Sequence, residues 1–246
     1  MLTQQTADKL RSMSLNGMAE AFLNQLKTPA NVSLSFEERL GLLVDYEWTH
    51  RQNRRLDRLL KNASFRLQAC MEDIDFHHPR GLDRAVVESL STCQWILASQ
   101  NVIVTGPTGS GKTYLVCALG TQACRQGLSA KYYQVSKLLS DLHMAKGDGT
   151  TPKLLNALAK TDLLVLDDFG LAPLNAIESR DILEIIDDRC QRRSTIVAAQ
   201  LPIEHWYDRI ADPTVADALL DRLVHNAHKL NLKLKGESMR KLLNQP

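Results

Sequence analysis

"VIVTGPTGSGKT", residues 102–113, is the stretch on which the fold of this 246-residue chain turns. Val102, Ile103 and Val104 make a short apolar run of strand type, and the turn after it sets Gly106, Gly111, Lys112 and Thr113 in the spacing G-x-x-x-x-G-K-[ST]. Strand, glycine turn and helix together predict a phosphate cradle. The loop Gly106, Pro107, Thr108, Gly109, Ser110, Gly111 can wrap with its N–H groups turned inward. The helix that opens with Lys112, Thr113 and Tyr114 adds the partial positive charge of its N-terminus. Lys112 is expected to reach the β- and γ-phosphates of ATP, and the Thr113 hydroxyl to ligate Mg2+.

A second stretch supports the first. "LLVLDDFG", residues 163–170, is a strand ending in two adjacent carboxylates, which are costly to bury at a strand tip unless a cation compensates them. Asp167 is the expected Mg2+ ligand, usually through the ion's water shell. Asp168 is expected to orient or deprotonate the attacking water; the alternative is a turn aspartate before Gly170. A carboxylate on so short a stem predicts slow basal hydrolysis.

Around these motifs, apolar runs of strand length alternate with helical patterns, which predicts an α/β domain with a mainly parallel sheet. The expected strands are 101–105, 130–135, 162–167 and 194–199, with a fifth at 228–234. The first third reads instead as helix. Leu10, Met13, Leu15, Met18, Ala21, Phe22 and Leu26 recur mostly three or four apart, interrupted only by Gly17. "TPANVSLS", residues 28–35, breaks that pattern, and Ser35 with Glu37 and Glu38 marks the start of a helix running to Ala63. Periodicity fades between Phe65 and Gly81. The expected division is therefore a helical N-terminal module, 1–65, and an ATPase domain, 66–246.

Composition excludes several other classes. The net charge is only +2, so nucleic-acid binding must come from clustered charge. Five cysteines without a C-x-x-C argue against a disulfide framework and a zinc ribbon, and point to a reducing compartment. No long apolar run suggests a leader or a membrane span, so a cytoplasmic location is expected. His77 with His78, and His225 with His228, lack a suitably spaced third ligand for a metal. Met13, Met18, Phe22 and Trp48 read as core or partner-packing residues, and Cys117 and Cys124 as buried.

"NVIVTGPTGSGKTYL", "DLLVLDDFGLAPL", "STIVAAQLPIEHWYD", "DPTVADALLDRLVHNAHKLNLKLKGESMRK" and the N-terminal "LRSMSLNGMAEAF" together span nearly the whole chain. In them the sequence resembles the AAA+ ATPases of the initiator and helicase-loader group. More narrowly, it is similar to the IstB-like transposition helper ATPases, relatives of the helicase loader DnaC. The resemblance implies an AAA+ P-loop fold with a five-stranded parallel sheet. It also implies roles for three further residues: Gln200 after the fourth strand as γ-phosphate sensor, Arg222 as arginine finger, and Arg240 as second sensor. The finger would act in a neighbouring subunit and the second sensor in its own. A planar, always-charged guanidinium suits both tasks. The alternatives are a strand-ending polar residue for Gln200, and surface arginines pairing with Asp221 or Glu237. The resemblance further implies ATP-dependent homo-oligomers on double-stranded DNA, and a cognate transposase that stimulates hydrolysis.

Arg51, Arg54, Arg55 and Arg58 fall at i, i+3, i+4 and i+7, on one face of the second long helix. Such a face can track phosphates with a steep salt dependence, and its alternatives are a solvated surface or a site for an acidic partner. Lys137, Lys146 and Lys153 lie between the second and third strands, where initiator-type relatives line a channel, and are candidate backbone contacts. No recognition-helix motif suggests base readout. Two rival readings remain: a DnaC-like replicative helicase loader favouring single strands, and a small-molecule P-loop kinase.

Overall fold

The computed structural model describes residues 2–27 and 34–233. The chain divides into two compact units, residues 1–58 and 59–246.

The first unit is helical, built from α1 (Leu2–Ser12), α2 (Asn16–Lys27) and the greater part of α3 (Phe36–Ala63). The periodic run around Leu10–Leu26 is therefore two helices. The chain turns at Ser14, which adopts φ 61°, and Gly17 lies inside α2 rather than breaking it. Gly17 is needed for packing, because a Cβ there would sit 2.8 Å from the Cβ of His50. Glu47, buried on α3, accepts from the backbone N–H of Met18 at 2.9 Å and from Arg51 Nε at 2.6 Å. One buried carboxylate thus satisfies an orphan donor at the start of α2. Ser35 and Glu38 cap α3 reciprocally: Glu38 N–H donates to Ser35 Oγ at 3.2 Å and Ser35 N–H to Glu38 Oε2 at 2.8 Å. Met13 and Trp48, expected in a core or against a partner, are 59% and 64% exposed.

The second unit begins with the last turn of α3 and continues through an irregular segment to α4 (Arg84–Ser91) and α5 (Gln94–Leu97). Then follow β1 (Asn101–Thr105), α6 (Lys112–Arg125), β2 (Ala130–Gln134), α7 (Val135–Asp148), α8 (Thr151–Lys160) and β3 (Leu163–Phe169). The chain continues through α9 (Ala176–Arg189), β4 (Ser194–Ala199), α10 (Pro213–Val224) and β5 (Ala227–Asn231). All pairings are parallel, in the order β2-β3-β4-β1-β5. The five-stranded parallel sheet expected from the sequence is present, with β3 ending two residues beyond the expected 162–167 and β5 shifted toward the N-terminus.

Alternation along the strands sets the layers. Ile103, Leu164, Leu166 and Val197 pack with Leu138, Leu142, Ile182, Ile185, Trp206 and Leu219 from the helices on one face. Val102, Val104, Val165 and Ile196 point the other way and are equally buried, as are Val116 and Leu119 of α6. Both faces being covered explains why β1, β3 and β4 read as continuous apolar runs. Cys117 and Cys124 are buried as expected, and burial pushes both thiols up to about 11, which makes them poor nucleophiles.

At the N-terminal edge of the sheet, Arg189 is 1% exposed. Its guanidinium donates to the carbonyls of Leu158, Thr161, Asp162 and Ser194 and to Thr195 Oγ1, tying the end of α8 to β3 and β4. Replacing it with an apolar side chain strands buried carbonyls. Arg189→Met is expected to lower the unfolding free energy by about 3 kcal/mol, read from the urea midpoint; a midpoint like that of the parent chain would show that water replaces these bonds.

Candidate functional site

The site lies outside the carboxyl ends of β1, β3 and β4, the place where open parallel sheets bind ligands. β1 ends at Thr105 and the chain enters the glycine loop with Gly106 at φ 147°. A Cβ at Gly106 would lie 2.3 Å from the carbonyl oxygen of Leu232, so only glycine fits between β1 and the chain leaving β5. Gly109 and Gly111 also take positive φ, 85° and 91°, and no side chain caps the N-terminus of α6. A helix N-terminus of this kind, with glycine at the N-cap, is a geometry suited to an anion. Lys112 Nζ is buried and donates to the carbonyls of Gly106 at 2.6 Å and Pro107 at 2.9 Å. The ammonium is folded into the loop, beside the position a phosphate would take.

Asp167 is 1% exposed at the tip of β3. Its Oδ2 accepts from Thr113 Oγ1 at 2.8 Å and from Tyr132 OH at 2.7 Å, and its Oδ1 accepts from the Asp168 N–H at 2.9 Å. Burial, and then the Asp167 carboxylate, push the Tyr132 phenol far up, so it stays a proton donor. Thr113 and Asp167 are hard oxygen donors side by side, a set that fits Mg2+. The sequence placed both. Tyr132 was not anticipated.

Asp168 sits on an irregularity of β3, where the register against β4 shifts between Leu166 and Phe169. Its φ of 59° is rare for a residue other than glycine, and such bulges re-aim side chains. Its Oδ2 accepts from Gln134 Nε2 at 2.9 Å and lies 3.6 Å from Arg66 Nη1. Tyr132 and Gln134 are two apart on β2 and so share a face; that spacing was the available clue to both, once β2 is known to lie beside β3. Gln200, directly after β4, accepts from Thr108 Oγ1 at 2.9 Å, which brings it to the glycine loop as expected.

Arg80 was also missed, and nothing in its local sequence marks it. It is 2% exposed; Nη2 donates to the Asp75 carbonyl at 2.8 Å and Nη1 to the Ser110 carbonyl at 3.4 Å. Its own carbonyl accepts from the Lys233 N–H at 2.7 Å. One buried arginine therefore braces the glycine loop from behind. Tyr114 turns away from the loop: burial pushes its phenol up, and the backbone of Cys70 bonds it.

Arg222 is placed elsewhere. Its carbonyl accepts from Asn101 Nδ2 at 3.1 Å, at the start of β1, whereas the glycine loop follows the end of that strand. Its guanidinium donates to Asp187 Oδ1 at 2.5 Å and to the Ala218 carbonyl at 3.0 Å. The pairing partner is thus Asp187 rather than Asp221, and Glu237 lies outside the described residues. Arg240 lies outside the described residues. Arg54, Arg55 and Arg58 are exposed on α3, and Arg51 is exposed while bonded to Glu47 and to the Ser14 carbonyl. Lys137 and Lys153 are exposed on α7 and α8, and Lys146 is paired with Asp181 at 2.6 Å. Among the described residues, no helix is long and apolar enough to cross a membrane.

Comparison with known proteins is consistent across the chain. The family model described as IstB-like ATP binding protein matches residues 8–245. An insertion-sequence ATP-binding protein of Sinorhizobium fredii is 47% identical over 241 residues, 98% of each chain. The ATP-binding protein of insertion sequence IS1162 from Pseudomonas fluorescens is 49% identical over 203 residues, 82% of this chain and 88% of that one. Among solved structures, AMPPCP-bound DnaA from Aquifex aeolicus superposes with a TM-score of 0.59 at 20% identity, over 72% of this chain and 53% of that one. The DnaC helicase loader gives 0.56 at 19%, over 67% and 97%. The fold is that of the AAA+ P-loop ATPases.

Gly106→Ala adds a side chain where a carbonyl oxygen already lies, at an unfavourable φ. It is expected to weaken binding of a non-hydrolysable ATP analogue by about 100-fold or more in calorimetric titration; binding within a few-fold of the parent would show that the loop relaxes around the methyl group.

Proposed function

The chain belongs to the family of IstB-like ATP-binding proteins, and on that premise we propose that it is an ATPase that assembles on duplex DNA and presents that DNA to a transposase. The observation that carries this reading is the separation of the site's two halves. Lys112, Thr113, Asp167, Asp168 and Gln200 gather at one end of the sheet, while the Arg222 carbonyl is fastened to Asn101 at the other. An arginine so placed does not reach its own glycine loop and is available to a neighbouring copy.

On this reading Lys112 exchanges the Gly106 and Pro107 carbonyls for phosphate oxygens, with the N–H groups at the start of α6 around them. Thr113 and Asp167 would hold Mg2+, which when bound neutralises charge on the β- and γ-phosphates. Tyr132 fixes the Asp167 carboxylate for that task. Asp168 orients the attacking water, and Gln200 meets the γ-phosphate from the adjoining strand. Arg222 of the next copy completes the pocket by leaving Asp187, an exchange that costs about 1 kcal/mol because the pair is partly exposed. ATP then favours assembly, and hydrolysis releases it. The basic face of α3 contacts duplex phosphates without reading bases.

Arg222→Ala is expected to bind ATP within about twofold of the parent while hydrolysis falls by about 1,000-fold, and ATP-dependent assembly is lost in sedimentation velocity. Unchanged turnover would remove the trans arrangement. The double variant R54A/R58A is expected to lower the slope of log affinity for duplex DNA against log salt by about 2. An unaltered slope would take α3 out of the DNA contact, and tighter binding to single strands than to duplex, by the parent chain with ATP, would favour helicase loading instead.

A further inference from the structure

The segment joining α3 to the ATPase core is held against the hydrolytic residues rather than looped away from them. Ser64 ends α3 with φ 56°, turning the chain sharply. Lys131 Nζ donates to the Asn62 carbonyl at 3.1 Å and lies 3.4 Å from Ser64 Oγ, so a cation from β2 caps the end of the helix. Phe65 fills the notch left by Gly120 on α6, where a Cβ would stand 2.4 Å from the ring. These contacts deliver Arg66, whose guanidinium lies 3.6 Å from Asp168 Oδ2 and against the Tyr132 hydroxyl that holds Asp167.

The oxygen in question already accepts from Gln134 Nε2 at 2.9 Å. A carboxylate oxygen offers about two lone-pair directions, and a water molecule to be oriented or deprotonated needs one of them. The Gln134 amide takes one of them, and the Arg66 guanidinium, at 3.6 Å an ion-pair contact rather than a hydrogen bond, draws the same oxygen toward the junction. The Arg66 side chain is 43% exposed, so the contact is weak enough to be broken when α3 shifts.

We propose that Arg66 is a positioning residue that restrains Asp168 and releases it when duplex DNA engages the basic face of α3. The proposal rests on the reading of Asp168 as the residue that orients water. It makes the junction the route by which DNA bound to α3 raises ATP turnover. The same residues that dock the junction, Phe65 and Lys131, set the resting state.

The test is steady-state ATP hydrolysis by the full chain with and without duplex DNA, for the parent, Arg66→Ala, Arg66→Lys and Asp168→Asn. Arg66→Ala is expected to raise the DNA-free kcat about fivefold, the size of a partly exposed ion pair, with KM for ATP unchanged. Its rate with DNA matches the parent, so the stimulation ratio shrinks, and Arg66→Lys restores the low DNA-free rate. A DNA-free kcat that is unchanged or lower in Arg66→Ala overturns the restraint, as does a parent chain that DNA does not stimulate. If Arg66→Ala melts at a much lower temperature than the parent, Arg66→Gln, which keeps the stem, is read in its place by the same criteria. Asp168→Asn separates the two levels: loss of turnover there with no effect at Arg66 removes only the restraint, whereas normal turnover in Asp168→Asn removes the role of Asp168 and the proposal with it.

Discussion

A carboxylate buried at the tip of a central strand governs the architecture of the site. Asp167 is almost fully enclosed, and an ionised group there is tolerable only if its oxygens are met by donors or a cation. The donors come from three places: Thr113 at the start of α6, Tyr132 on β2 and the N–H of Asp168 on β3 itself. Meeting that demand fixes the glycine loop's helix, the edge strand and the bulge of β3 relative to one another. The glycine loop and the oxygen donors around Asp167 are consequently tied into one unit.

The same economy operates at the opposite edge of the sheet, with a cation in place of an anion. Arg189 gathers carbonyls from α8, β3 and β4, so the sheet is pinned at one edge by a guanidinium and at the other by a carboxylate. Arg222 belongs to the Arg189 edge, fastened by Asn101. On the proposed reading an arginine at that edge acts between copies, which would give assembly and hydrolysis a common physical origin.

The elements that a contiguous stretch specifies were legible without coordinates. The strand–glycine–helix unit at 102–113, the carboxylates at 167 and 168, and the Ser35 cap each depend on neighbours in sequence, whose spacing encodes their geometry. The apolar runs marked β1, β3 and β4 because strands buried on both faces leave no polar alternation to obscure them, whereas β2 and β5, at the sheet's edges, alternate. The turn at Ser14 was hidden, since two short helices meeting at a tight corner keep nearly the same apolar spacing as one.

By itself, then, the sequence determined the fold class, the glycine loop, the pairing of Thr113 with the carboxylate at the tip of β3 and the place of Gln200 after β4, because each is a short-range pattern with few ways to fold. Only the tertiary structure decided what surrounds them. Tyr132 reaches Asp167 across 35 residues, Gln134 reaches Asp168 across 34, and Arg66 arrives from the end of a helix that begins in the other unit. Arg80 supports a loop 30 residues away, and Arg222 finds Asp187 rather than the adjacent Asp221. The physical reason is common to all of them: strand order places distant residues side by side, and a polar side chain commits to whichever partner the packed sheet brings within hydrogen-bonding reach.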